Sequence, residues 1–126
     1  MVLFMAGAKI LLVDDNQLNR ELAKEILEIA EHQVIEAVNG KECIEKVRQT
    51  KPDIILLDIE LPDMSGLEVI KVIKKDPEIK SVPVVAFTGY NLHEEQKNFL
   101  AAGFAGFISK PFDIQTFPQM VAKFLK

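Results

Sequence analysis

Five times along this chain a short apolar run is followed by a stretch of helical periodicity, and this alternation restricts the available folds more than any other feature. The runs are Lys9–Val13, Val34–Val38, Asp53–Leu57, Val84–Phe87 and Gly106–Ser109. They are mostly unalternated, as strands covered on both faces are, and such strands belong to parallel sheets. Helices are predicted at Gln17–Ala30, Gly40–Gln49, Gly66–Lys75, Leu92–Ala102 and Phe117–Phe124. Five β-α units without a linker or composition shift give an α/β fold, a three-layer sandwich of a five-stranded parallel sheet and five helices. Right-handed crossovers leave few topologies.

Helix starts carry their own signals. Asn39, Ser65, Asn91 and Thr116 each stand three residues before a Glu or Gln, the spacing of a capping box. Thr116 as cap also accommodates Pro118, which is tolerated in a first turn and would break a helix begun at Asp113. In the first helix Leu18, Leu22, Ile26 and Ile29 form the expected apolar stripe, with Arg20, Glu21, Lys24, Glu25 and Glu28 off it.

Composition removes several functions. The net charge of −4 and scattered basic residues argue against a nucleic-acid surface. No apolar run reaches membrane-spanning length, and the opening MVLFMAG lacks the basic start and longer apolar core of a signal peptide. Residues 1–7 read as a flexible leader before a single domain at 8–126, with Met1 and Met5 both open as the start. Cys43 shares a helix face with Val47 and reads as a small core residue, and a single cysteine fits a reducing cytoplasm. His32 and His93 read as surface residues.

Ligands of open α/β sheets bind at the carboxyl ends of the strands. There the chain places Asp14 and Asp15, then Asp58, Thr88 and Lys110. Helix capping is the alternative role for Asp14 or Asp15, and a turn-starting role for Asp58. Two carboxylates about 5 Å apart repel by roughly 3 kcal/mol at an effective dielectric near 20, so a converging set needs compensation. Lys110 supplies one positive charge, and a hard divalent cation would supply two more. All-oxygen ligands without a His or Cys cluster favour Mg²⁺, with Mn²⁺ as a substitute.

These residues, with the segments ILLVDDN, PDIILLDIELPDMSGLE, PVVAFTG and GFISKPF in that order, resemble the receiver domain of two-component response regulators, the CheY-like superfamily. The resemblance runs from about Ala8 to the C-terminus. It is nearest to single-domain regulators of the DivK type or receivers of hybrid kinases. It implies the flavodoxin-like strand order 2-1-3-4-5. It further implies that Asp58 accepts a phosphoryl group from a phosphohistidine of a sensor histidine kinase or phosphotransfer protein. Asp14, Asp15, Asp58 and the Glu60 carbonyl would hold Mg²⁺, and Thr88 and Lys110 would contact the phosphoryl oxygens. Thr88 and Phe107 would form the switch that alters a surface for a downstream protein. Family members commonly carry Ala where Gly89 follows Thr88, and Glu60 and Tyr90 would flank the path of hydrolytic water. Phe99, Leu100, Phe104 and Phe107 read mostly as core, which is also the alternative role of Phe107.

The competing reading from another class is a Mg²⁺-dependent phosphatase of the haloacid-dehalogenase type, which also uses Asp, Thr and Lys. That type carries its Asp-x-Asp motif near the N-terminus, whereas Asp58-Ile59-Glu60 lies mid-chain. A pure interaction module is the third reading, opposed by the intact set of polar residues.

Overall fold

The structure, a computed structural model, describes residues 7–88, 96–109 and 116–125. Strands β1 (Lys9–Val13), β2 (Gln33–Ala37), β3 (Ile54–Asp58), β4 (Val84–Thr88) and β5 (Gly106–Ser109) alternate with helices α1 (Gln17–Ile29), α2 (Gly40–Thr50), α3 (Gly66–Lys75), α4 (Gln96–Ala102) and α5 (Phe117–Phe124). All pairings are parallel, in the order β2-β1-β3-β4-β5. This is the flavodoxin-like order, with the chain reversing direction across the sheet after β2.

Side-chain alternation along the strands divides the core in two. Leu11, Val13, Ile55, Leu57, Val84 and Ala86 pack beneath α2, α3 and α4. Ile10, Leu12, Ile54, Leu56, Val85 and Phe87 pack beneath α1 and α5, where the rings of Phe87 and Phe117 stack at 5.6 Å. Burial on both faces explains why β3 reads as an unbroken aliphatic run.

The first helix corrects the expected stripe. Leu18 and Ile29 are 76% and 75% exposed, and Leu22 is 46% exposed. The buried positions are Ala23, Ile26 and Leu27. At about 100° per residue, Ala23 and Leu27 centre the sheet-facing arc and Ile26 lies within it, while Leu18, Leu22 and Ile29 cluster on one flank. Ala23 is small enough to bring the helix close to the sheet, and its weak hydropathy hides that role in the sequence.

Caps differ in detail as well. Ser65 and Glu68 form the full reciprocal box, whereas Asn39 caps Glu42 N while Glu42 Oε1 accepts from Val38 N at 3.3 Å. Thr116 makes no side-chain cap bond. Its backbone is already helical, and Pro118 has no N–H to offer it. Asn91, and the proposed first turn of α4 at 92–95, lie outside the described residues.

Strand edges shift by one residue at β2 and β3. Asp53 stays out of β3, its carboxylate accepting from Lys9 N at 2.7 Å, and β3 closes on Asp58 itself. Cys43 and Val47 are fully buried as expected, and burial pushes the Cys43 thiol up to about 12. His32 is half-buried rather than a surface residue, because the turn after α1 folds it back so that its backbone N donates to Leu27 O at 3.1 Å. Phe99 and Phe104 are core, while Leu100 is exposed.

Candidate functional site

The site begins with parity. Asp14 continues the series Ile10, Leu12, and Asp58 the series Ile54, Leu56, so the two carboxylates follow the same face on adjacent strands. The last register pair is Val13 with Leu57, which puts Asp14 and Asp58 side by side one step beyond it. Asp15 joins them from the β1–α1 turn. One carboxylate oxygen from each of the three lies within 4.8 Å of the others. Asp14 is fully buried and Asp58 is 7% exposed, while Asp15 faces solvent.

The local backbone orients both buried carboxylates in the same manner. Asp14 Oδ1 accepts from Asn16 N at 2.9 Å, and Asp58 Oδ1 accepts from Glu60 N at 2.9 Å. Each is an Asx turn, in which the side chain starts the loop that leaves its strand. Capping of α1 falls to Asn16, whose Oδ1 accepts from Asn19 N at 2.9 Å. Neither Asp14 nor Asp15 is therefore needed for that task. Asn16 was not among the caps expected from the sequence because no Glu or Gln follows it at the box position.

The loop after Asp58 is pinned at several points. Glu60 and Ser65 form an antiparallel bridge, and Gly66 N donates to Ile59 O at 2.9 Å. A Cβ on Gly66 would stand 2.9 Å from the Ile59 Cα, so the close return of the loop requires glycine. At the middle of the loop Asp63 reaches across to α2, accepting from Gly40 N at 2.8 Å and Lys41 N at 3.0 Å. The Gly40 N–H bond chiefly holds the Asp63 carboxyl below its ordinary range. Met64 packs against Gly40. Asp63 is a second cap for α2 supplied from another element, and sequence spacing holds no trace of it.

Thr88 ends β4 and pairs in register with Ser109. Its side chain, with Gly89, Tyr90, Lys110 and Pro111, lies outside the described residues. Phe107 is half-buried against the α2-α3-α4 core, with its ring 6.0 Å from that of Phe99. The acidic group is a fit for a hard cation: the ligand atoms are all oxygen, gather within 4.8 Å of one another, and two of the three, from Asp14 and Asp58, sit at the ends of buried strands.

Fold and cluster together define a flavodoxin-like α/β domain with carboxylates gathered at the carboxyl edge of its sheet. The chain belongs to the response regulator receiver domain family, whose model matches residues 10–122. It is 34% identical over 116 residues to the polar-differentiation response regulator DivK of Brucella anthropi, covering 92% of this chain and 94% of that protein. Among solved structures, the chemotaxis response regulator CheY4 of Vibrio cholerae superposes with a TM-score of 0.89 at 28% identity, covering 95% of this chain and all of that one. The receiver domain of sensor histidine kinase PA1611 from Pseudomonas aeruginosa, solved with a magnesium ion coordinated in its active-site cleft, superposes with a TM-score of 0.86. It is 27% identical and covers 95% of this chain and 98% of its own. The chain is thus a CheY/DivK-like signalling receiver. The phosphatase alternative is not favoured, since the family match spans both Asp58 and the strands on either side of it.

Proposed function

We propose that Asp58 is the phosphoacceptor of this receiver and that Asp14, Asp15, Asp58 and the Glu60 carbonyl hold Mg²⁺, or Mn²⁺ in its place. The observation that carries the reading is the convergence of three carboxylates within 4.8 Å at the strand ends. The magnesium in the cleft of the PA1611 receiver supports the choice of ion. When bound, the ion supplies neutralising charge for phosphoryl oxygens in a loose transition state.

The chain's own residues do the rest. The turn from Asp58 Oδ1 to Glu60 N fixes the carboxylate at the strand end. An Asp58 oxygen attacks the phosphorus of a phosphohistidine, the O–P bond forms, and the imidazole nitrogen departs with the electron pair of the broken P–N bond. Thr88 and Lys110 contact the phosphoryl oxygens, which carry more negative charge than the original carboxylate. Those contacts exist in only one state and bias Thr88 and Phe107 toward a second arrangement. The donor is a sensor histidine kinase or a phosphotransfer protein, and the altered surface meets a downstream protein. The domain, residues 8–126 after the leader 1–7, catalyses only its own phosphorylation and dephosphorylation. Among the described residues no helix is long and apolar enough to cross a membrane, and we place its action in the cytoplasm.

The test is intact-mass measurement after incubation with Mg²⁺ and acetyl phosphate or phosphoramidate. One labile phosphoryl addition is expected, absent in Asp58→Asn and absent without Mg²⁺. Turnover of many phosphate esters without a stable adduct would instead return the phosphatase reading.

A further inference from the structure

Asp14 is held by more than its own turn. Its N–H donates to Ala37 O of β2 at 3.1 Å. Its carbonyl accepts from Arg20 Nη1 at 2.9 Å, and the same guanidinium donates through Nε to Glu36 Oε1, also on β2, at 3.2 Å. Glu36 is anchored in turn: Lys24 Nζ reaches its other carboxylate oxygen at 3.3 Å, and Lys46 Nζ donates to its backbone carbonyl. Both peptide groups flanking the Asp14 carboxylate are thereby tied to β2, one directly and one through Arg20. The Arg20 side chain is only 14% exposed.

An exposed ion pair between α1 and β2 would stabilise the fold little. Arg20 differs because its rigid planar fork serves two acceptors from different elements at once through separate nitrogens, a geometry that a point-like ammonium on a flexible stem holds less firmly. The carbonyl it holds belongs to a buried residue of the acidic cluster.

We infer that Arg20 is a positioning residue for the cation site: braced on Glu36, it fixes the Asp14 carbonyl and so the direction of the Asp14 carboxylate. The inference rests on the reading that the cluster binds Mg²⁺. The two roles open to Arg20 have opposite signs. As a bare positive charge near the cluster it would repel a dication, and its removal would tighten binding. As a brace it improves the ligand set, and its removal weakens binding.

The experiment is Mn²⁺ titration of the full chain followed by electron paramagnetic resonance, with Mg²⁺ measured by competition and folding checked by circular dichroism. Arg20→Gln is expected to weaken both ions roughly 10-fold, the scale seen when groups orienting metal ligands are removed. Arg20→Lys keeps the positive charge and loses the planar fork. It is expected to weaken binding, a loss the bare-charge role does not produce, and supplies the readout if Arg20→Gln does not fold. Affinity unchanged or tightened in the folded variants would overturn the brace. A wild-type chain that binds neither ion, or whose binding survives Asp15→Asn and Asp58→Asn unaltered, would sink the cation-site reading itself, a result distinct from failure at Arg20 alone.

Discussion

A single side chain, Asp63, shows how the loop beside Asp58 is held. Its carboxylate accepts from two backbone N–H groups at the start of α2, and those bonds favour the ionised form. A carboxyl whose folded value is depressed contributes stability that is fully present above the unfolded value, about pH 4, and is lost as pH falls through the folded one. Asp63→Ala should therefore lower the urea midpoint by a constant amount from pH 7 down to about pH 4, and the gap should close on further acidification. Equilibrium unfolding at a series of pH values measures this directly. A gap of the same size in acid would show that the neutral side chain, and not the carboxylate, does the holding.

Among the elements, α1 is where sequence and structure part company most instructively. Leu27 is fully buried beneath the helix, so Leu27→Ala should cost about 2–5 kcal/mol by lost burial and a residual cavity. Leu18→Ala and Ile29→Ala, at exposed positions, should stay within about 0.5 kcal/mol of wild type. Denaturant unfolding of the three variants separates the two faces, and a large loss at Leu18 or Ile29 would restore the stripe first read from spacing. Strands β1, β3 and β4 were legible because burial on both faces leaves an aliphatic run that needs no phase assignment. A helix must be phased, and the apolar residues of α1 spread over an arc wider than the face that packs. The convergence of Asp14 and Asp58 was legible for the reason the strands were: each ends an apolar run, and parallel strands deliver their ends to one edge. The braces were not legible. Arg20 to Asp14 and Asp63 to Gly40 are bonds from a side chain to a backbone group, and such bonds leave no periodic trace and demand no particular partner residue.

At the scale of the whole molecule, the acidic cluster sets local demand against global stability. Strand ends that the two core layers clamp hold Asp14 and Asp58 side by side, and Asp15 adds a third carboxylate from the exposed turn, with one oxygen of each within 4.8 Å of the others. The unfolded chain has no such constraint. If the repulsion among these carboxylates outweighs the other contacts of Asp14 and Asp58, the fold is less stable without a cation than with one carboxylate neutralised, and it gains stability from whatever binds the folded form alone. Linkage gives about 2.7 kcal/mol at a free cation concentration one hundred times Kd, on the order of 10 °C in Tm for a domain of this size. Asp15 is the position to substitute, because it is exposed and its removal opens no cavity. Asp15→Asn should raise Tm in chelator and abolish most of the rise expected from Mg²⁺ in wild type, so that the two proteins exchange rank as the cation is added. Calorimetric scans with and without Mg²⁺ test both halves at once. A variant that is less stable than wild type in chelator would mean that Asp15 is held by partners whose attraction exceeds the repulsion. The cluster would then be a structural polar network, with no stability set aside for a ligand.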